Sequence, residues 1–323
     1  MTPLCRIDAI REIDDVIVES GAELARYSTF QLGGPCACLI TSTTPDALVA
    51  VVRELLRQSV TFVLLGGGSN VLISDKGVDA VVVRYVTDSV DLHRDGDRVM
   101  VSAATSLDAL AERCAVDGLD GLGCCTGIPG TVGGAIVGNA GAWGEQVGDV
   151  LWSVTLLSRD GFIHDVTSDS LDFRYRWSRL KESDDIVVSA SFDLKPTDPA
   201  GLMSRRHEVL RMRSEKHPNL AVDPCIGSIF KNIEPTSSAG RRQAAGWFLE
   251  QAGVKGLQVG GAEIFGKHAN IIVKRANGTA ADVYILMGHM QQRVQEVFDI
   301  RLQREVRLLG TFRGEGEPAS GFH

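Results

Sequence analysis

The 323 residues carry 33 Lys and Arg against 41 Asp and Glu, a net charge of -8 at pH 7, which argues against a nucleic-acid-binding protein because that function needs a basic face. A hydrophobic content of 44% and a charged content of 23% are typical of a globular protein, and the length predicts two or three domains. No apolar run reaches the roughly 20 residues of a membrane span, and the charged start MTPLCRIDAIREIDD is unlike a signal peptide. We therefore expect a cytoplasmic protein.

The cysteines predict buried, reduced thiols. Their number is odd, and they contain no CxxC pair. They are Cys5, Cys36, Cys38, Cys114, Cys124, Cys125 and Cys225. No cluster of His, Cys, Asp or Glu has the spacing of metal ligands, so we expect no metal.

The first half of the chain predicts alternating helices and strands. Isoleucines recur at helical spacing and predict a helix over residues 7–19. Thr44 as N-cap and Pro45 at the first helical position predict a helix over residues 45–58. The other predicted elements are strands at 60–65, 80–86 and 99–103, a helix at 106–116, a hairpin of strands at 151–157 and 162–166, and a strand at 186–194.

The second half begins at a predicted domain boundary, KPTDPAG, at residues 195–201. Alternating apolar and polar residues over 300–309 predict a last strand, with Glu305 and Arg307 on its polar face. We expect residues 311–323 to form a disordered tail. The remaining predicted elements are helices at 202–216, 240–251 and 280–298 and strands at 228–232 and 270–273.

Two glycine-rich segments are the predicted ligand-binding elements. Residues 121–148 include ten glycines among 28 residues, and GGGSN at residues 66–70 follows a predicted strand. Free backbone N–H groups in such segments favour a phosphate. Neither segment matches GxxxxGK or GxGxxG, which argues against a P-loop or Rossmann site. Tight turns in a β-rich domain are the structural alternative.

Seven segments of the chain occur in the order YSTFQLGGP, LLGGGSNVLISDKG, GIPGTVGGAIVGNAGAWGEQ, FRYRWS, GSIFKN, GKHANIIVK and QREVRLLG. In this order they resemble the UDP-N-acetylenolpyruvoylglucosamine reductase (MurB) family of bacterial cell-wall synthesis, over about residues 27–310. The resemblance implies an α+β fold. It consists of an FAD-binding unit of the vanillyl-alcohol-oxidase (PCMH) type in two subdomains, at residues 1–86 and 87–197. An α+β substrate-binding domain with a return strand follows at residues 198–310.

The resemblance implies an enzyme that reduces UDP-N-acetylglucosamine enolpyruvate to UDP-N-acetylmuramate for peptidoglycan synthesis, using non-covalent FAD and NADPH as co-substrate. The interval between Arg176 and Ser228 has no tyrosine, which resembles the subtype without a tyrosine-bearing lid. Trp143, Cys36 and Cys38 depart from the common family pattern. The implied FAD-binding residues are Gly66, Gly67, Gly68, Ser69, Asn70, Val71, Ile128, Pro129, Gly130, Thr131, Gly133, Gly134, Asn139, Gly141 and Ala142. The implied substrate-binding residues are Lys216, Lys231, Asn232, Lys267 and Asn270.

Arg176, Ser228 and Glu305 match the catalytic residues of the family. The family's serine protonates the substrate carbanion, and its arginine and glutamate support the enolate. Reduction of the vinyl ether needs a cation, because hydride addition builds negative charge on the carbon beside the carboxylate. An arginine can bind that carboxylate with two hydrogen bonds. From the residues alone, Arg176 could instead be a surface partner of the acidic residues 182–185, Ser228 a turn residue and Glu305 a solvated charge.

Two other functions fit part of the pattern. An oxidase of the same flavin fold would act on an alcohol or sugar, although the chain has no His or Cys in an obvious covalent-flavin motif. A sugar-nucleotide-binding module would hold UDP directly in the glycine-rich segments, and it predicts a colourless protein.

Overall fold

The computed structural model describes residues 7–234 and 242–312. Of the predicted tail, Thr311 and Phe312 are described and Phe312 is buried, whereas residues 313–323 lie outside the described part. The helices are α1 (Ile7–Arg11), α2 (Pro45–Arg57), α3 (Leu107–Val116), α4 (Val132–Gly138), α5 (Pro199–Lys216), α6 (Ala245–Gln251) and α7 (Ala280–Phe298). The strands are β1 (Val16–Ser20), β2 (Cys36–Ser42), β3 (Phe62–Leu65), β4 (Val71–Ile73), β5 (Val78–Tyr85), β6 (Leu92–Asp95), β7 (Arg98–Ser102), β8 (Leu119–Asp120), β9 (Gly141–Ala142), β10 (Glu145–Gln146), β11 (Leu151–Leu157), β12 (Ile163–Thr167), β13 (Ile186–Asp193), β14 (Lys195–Pro196), β15 (Gln258–Val259), β16 (Ala262–Ile264), β17 (Ile272–Lys274) and β18 (Arg307–Leu309).

The first sheet has the strand order β1-β2-β5-β3, with β2 and β3 both parallel to β5. Helix α2 begins as predicted, since the Ala47 N–H donates to Thr44 Oγ1 at 3.3 Å and Pro45 stands at the first helical position. Its apolar face is buried against the sheet. The core that α2 helps to build continues into the second sheet.

The predicted helix over residues 7–19 is wrong beyond Arg11. Residues Val16–Ser20 form β1 instead, which pairs antiparallel with β2, a strand that the sequence analysis did not predict. The isoleucine spacing favoured a helix locally. The hydrogen bonds available along the edge of β2 decide the outcome, because every residue of β1 lies in register with a residue of β2.

The second sheet is antiparallel throughout and has the order β12-β11-β13-β7-β6. It contains the predicted hairpin, β11 and β12, which is thereby confirmed with its outer strand shifted by one residue. One buried apolar cluster joins this sheet to the first sheet and to α2, α3 and α4. The two sheets therefore share a continuous core.

The third region holds α6, α7 and the antiparallel sheet β15-β16-β17, whereas α5, which precedes it in the chain, packs against α3 and pairs Arg206 with Asp108. Helix α7 has the predicted bounds, and a capping box between Thr279 and Asp282 begins it. The predicted helix at 240–251 is described only from residue 242 and begins at Ala245. Strand β18 returns to pair in parallel with β4 of the first region.

Two predicted strands of this region are wrong for most of their length. Residues 300–306 are irregular, and only β18 is a strand. Residues 228–232 make isolated contacts, in which the Lys231 N–H donates to Gln303 O at 2.9 Å and the Glu305 N–H donates to Ile229 O at 2.8 Å. The two irregular segments are joined by a few backbone hydrogen bonds and form no continuous β-ladder with each other. Among the described residues, no helix has both the length and the apolar character that a bilayer crossing requires.

Candidate active site

A cavity of about 1550 Å³ lies where the three regions meet. Ligand pockets commonly measure roughly 300–1,000 Å³, so this cavity has room for a large cofactor beside a substrate. Its walls include both glycine-rich segments, the start of β13 and residues that follow α5 and precede β18.

The two glycine-rich segments touch each other in the cavity wall. The Ser69 hydroxyl donates to Pro129 O at 2.9 Å. A Cβ atom on Gly67 would lie 2.9 Å from the Cα atom of Gly130, so glycine is required for this approach. Within the described residues, none of the backbone N–H groups of residues 67–70 donates a hydrogen bond. These free donors fit the pyrophosphate of a dinucleotide, and they favour the ligand-binding interpretation over simple turns.

All but one of the predicted FAD-binding residues line the cavity. The exception, Asn139, is fully buried and ends α4 in a left-handed conformation. Its Nδ2 donates to Arg174 O at 2.9 Å, and its Oδ1 accepts the Gly148 N–H at 3.1 Å. Asn139 therefore supports the turn that carries Arg176.

Arg176 and Glu305 form an ion pair in the cavity wall. Arg176 Nε lies 2.8 Å from Glu305 Oε1, although its N–H is not aligned for a hydrogen bond, and Arg176 Nη2 donates to Gly141 O at 2.9 Å. Burial raises the pKa of Glu305, and the nearby cations, Arg176 first, oppose that rise. Arg176 is thus no surface partner of residues 182–185, where Asp184 instead pairs with Arg159.

Ser228 also lines the cavity, on the segment beside Glu305. Asn270 fixes this segment: its Oδ1 accepts the Phe230 N–H at 3.0 Å, and its Nδ2 donates to Phe230 O at 2.8 Å. The Glu305 N–H then bonds Ile229 O. The fold therefore brings the three predicted catalytic residues, from three separate parts of the chain, to one cavity.

The predicted substrate-binding residues have different surroundings. Lys267 lines the cavity, whereas Lys216, Lys231, Asn232 and Asn270 are not among its lining residues. Asn232 Oδ1 accepts the Ala245 N–H at 3.1 Å and so begins α6. Lys231 lies close enough to Glu305 to lower its pKa.

The charged or titratable lining residues that the sequence analysis did not assign to the site include Lys181, Arg213, His217 and Arg307. Burial is the main cause that lowers the pKa of Lys181 to about 8 and that of His217 to about 4. The Arg213 guanidinium lies 5.2 Å from the ring centroid of Trp143, which is 58% exposed at the cavity edge. Nothing in the local sequence pattern distinguished Lys181 from a surface lysine.

A protein-family model described as an FAD binding domain matches residues 36–167. These residues contain both glycine-rich segments and the strands from β2 to β12. The cavity, its free backbone donors and this match define the protein as an FAD-dependent oxidoreductase. The expected cofactor and the expected fold class, α+β with a flavin-binding unit of the vanillyl-alcohol-oxidase type, are confirmed.

A second family model, the C-terminal domain of UDP-N-acetylenolpyruvoylglucosamine reductase, matches residues 217–309. The reductase of that name from Trichormus variabilis is 38% identical over 92% of this chain and 87% of its own, and that from Bacillus subtilis is 33% identical over 93% and 96%. The crystal structure of the reductase from Thermus caldophilus covers 91% of this chain and 98% of its own, with a TM-score of 0.73 and 33% identity. The chain belongs to the UDP-N-acetylenolpyruvoylglucosamine reductase family.

Proposed function

We propose that this protein catalyses the NADPH-dependent reduction of UDP-N-acetylglucosamine enolpyruvate to UDP-N-acetylmuramate in peptidoglycan precursor synthesis. Family membership supports the reaction. The observation that carries it is that Arg176, Ser228 and Glu305 line the cavity whose other walls are the two glycine-rich segments. A cation, a hydroxyl and a carboxyl are the groups that this reduction needs.

Residues 66–71, 128–134 and 141–142 would hold FAD. The backbone N–H groups of residues 67–70 donate no hydrogen bond within the described residues, and the contact between Gly67 and Gly130 leaves no side chain between the two loops. Bound FAD would supply the hydride-transfer chemistry between NADPH and the enolpyruvyl group. The remaining roles belong to side chains of this chain.

Arg176 would bind the carboxylate of the enolpyruvyl group. Its guanidinium is held by Gly141 O and by the Glu305 carboxyl, and its side chain is only 25% exposed. Negative charge grows beside that carboxylate as hydride arrives, so a fixed cation stabilises the transition state more than the ground state. One contact of this kind is worth roughly 3–4 kcal/mol of barrier in a water-poor site.

Ser228 would donate the proton that completes the reduction. Its hydroxyl is an adequate acid toward a carbanion that is far more basic, and its segment is fixed by Asn270. Glu305 would assist by holding the Arg176 guanidinium through their ion pair. Burial raises the pKa of Glu305, and the cations around it, Arg176 first, oppose that rise.

The finer organisation follows the same proposal. The two sheets support FAD-binding subdomains at residues 1–86 and 87–197, because one sheet lies within 16–85 and the other within 92–193. Residues 198–310 would bind the sugar nucleotide.

The net charge of -8 supports a small-molecule substrate rather than nucleic acid. The buried thiols of the six described cysteines support a reducing compartment, the cytoplasm.

The visible absorption spectrum of the purified protein tests the proposal. A yellow protein that anaerobic NADPH bleaches, and that UDP-N-acetylglucosamine enolpyruvate then recolours, is expected. A colourless protein that takes up no added FAD would refute it. Oxygen consumption with simple sugars and without NADPH would favour the oxidase instead.

A further inference from the structure

The turn that carries Arg176 is strained. Arg174 and Trp177 pair across it through two backbone hydrogen bonds of 3.0 and 3.1 Å. Arg176, between them, has a φ of 54°, which places a residue with a Cβ in the left-handed region. Such a conformation persists only where the surrounding structure holds it in place.

Three side chains fix this turn, and one of them is charged. Asn139 binds Arg174 O, and the Ser178 hydroxyl donates to Val137 O at 2.9 Å. Lys181 Nζ donates to Arg176 O itself at 2.7 Å. Asn139 and Ser178 are fully buried, whereas Lys181 lines the cavity. The residue that holds the backbone of Arg176 therefore belongs to the site.

The surroundings of Lys181 are unfavourable for a cation. Burial, followed by the charges of Lys231, Arg307 and Arg176, lowers the pKa of Lys181 to about 8, while Glu305 acts in the opposite direction. A neutral donor could make the hydrogen bond to the Arg176 carbonyl oxygen, so this bond does not by itself require an ammonium group near three other cations. The presence of the Lys181 ammonium group there points to a role in function.

We propose that Lys181 is a positioning residue of this active site, which holds the Arg176 carbonyl and thereby keeps the Arg176 guanidinium between Glu305 and the substrate carboxylate. The inference rests on the proposed function and deepens it. In this inference, Lys181 fixes the position of the Arg176 guanidinium, which stabilises the transition state.

The two half-reactions, measured separately by rapid mixing, test the proposal. Lys181→Met removes the donor and the charge, and Lys181→Arg keeps both. Lys195→Met, at an exposed lysine of β14, is the matched control. We expect Lys181→Met to reduce its flavin with NADPH at the parent rate. Reoxidation by the enolpyruvyl substrate should be roughly 10- to 100-fold slower, because a misplacement near 1 Å has that effect. Lys181→Arg should recover most of the rate, and Lys195→Met should match the parent.

Steady-state kinetics, the pH profile and the melting temperature separate a positioning role from a merely structural one. Loss of a transition-state contact lowers kcat and leaves KM unchanged. In the parent, the reoxidation rate should fall as the pH rises through about 8, where Lys181 loses its proton, and this limb should be absent in Lys181→Met. The melting temperature of that variant should be no lower than the parent's near neutral pH, since a poorly solvated cation is removed.

Two results would overturn the inference: reoxidation at the parent rate in Lys181→Met, or equal slowing of both half-reactions together with a lower melting temperature. Failure of the proposed function would look different. In that case the parent enzyme itself, once reduced by NADPH, would not be reoxidised by the enolpyruvyl substrate.

Discussion

Replacing Asn270 by alanine should destabilise the fold rather than weaken substrate binding. The side chain is 2% exposed, and its carboxamide makes two hydrogen bonds to Phe230, which is 1% exposed. Alanine would leave the backbone N–H and C=O of Phe230 without these partners, in a place that water does not reach. Each buried group left unsatisfied costs about 1–3 kcal/mol, so the two together predict a loss of about 2–6 kcal/mol.

Chemical denaturation of Asn270→Ala and of the parent measures this loss as a difference in the free energy of unfolding. Lys267→Ala is the matched control, because Lys267 lies three residues away and lines the cavity. We expect the control to keep the parent's stability and to raise KM. Parent stability in Asn270→Ala, combined with a raised KM, would show that the carboxamide binds substrate and that our structural reasoning is wrong.

Three further predictions concern other parts of the site and its supports. Ser228→Ala should slow turnover by roughly 10²- to 10⁴-fold while NADPH still bleaches the flavin; turnover at the parent rate would exclude Ser228 as the proton donor. The Asp75 carboxylate accepts hydrogen bonds from the N–H groups of Ala280 and Ala281 at 2.7 and 2.9 Å. Asp75→Ala should therefore lower the free energy of unfolding by about 1 kcal/mol, because a helix cap is lost. An unchanged denaturation midpoint would contradict this. Because burial raises the folded-state pKa of Glu305 above 4.5, its contribution to stability is full below pH 4.5 and is lost as the pH rises through the folded-state pKa. The free energy of unfolding of the parent should then fall relative to that of Glu305→Gln over this range, and an identical pH dependence in the two proteins would count against it.

Features that depend on neighbours in sequence could be predicted. Helix α7 has its predicted bounds because Thr279 and its capping box begin it and a periodic apolar face continues to its end. The two glycine-rich segments were recognised as binding elements because their composition permits a close backbone approach, which Gly67 and Gly130 make.

Features that depend on residues distant in sequence could not be predicted. The alternation over residues 300–309 predicted a strand with Glu305 facing solvent, but the hydrogen bond from Glu305 N–H to Ile229 O turns this segment toward the cavity. Strand β1 likewise depends on the edge of β2. Lys181 had no signal, because its importance comes from the φ of Arg176 and from charges that only the folded chain brings together.

The parallel pairing of β18 with β4 affects the order of events during synthesis on the ribosome. Arg307 and Leu309 lie opposite Val71 and Ile73. A nascent chain that has emerged as far as residue 300 already contains both glycine-rich segments, but it has neither the strand that covers β4 nor Glu305. Domains generally begin to fold from the N-terminal side during translation. In this protein the carboxyl of the active site is made after both glycine-rich segments, so catalytic competence follows the synthesis of residues 300–309.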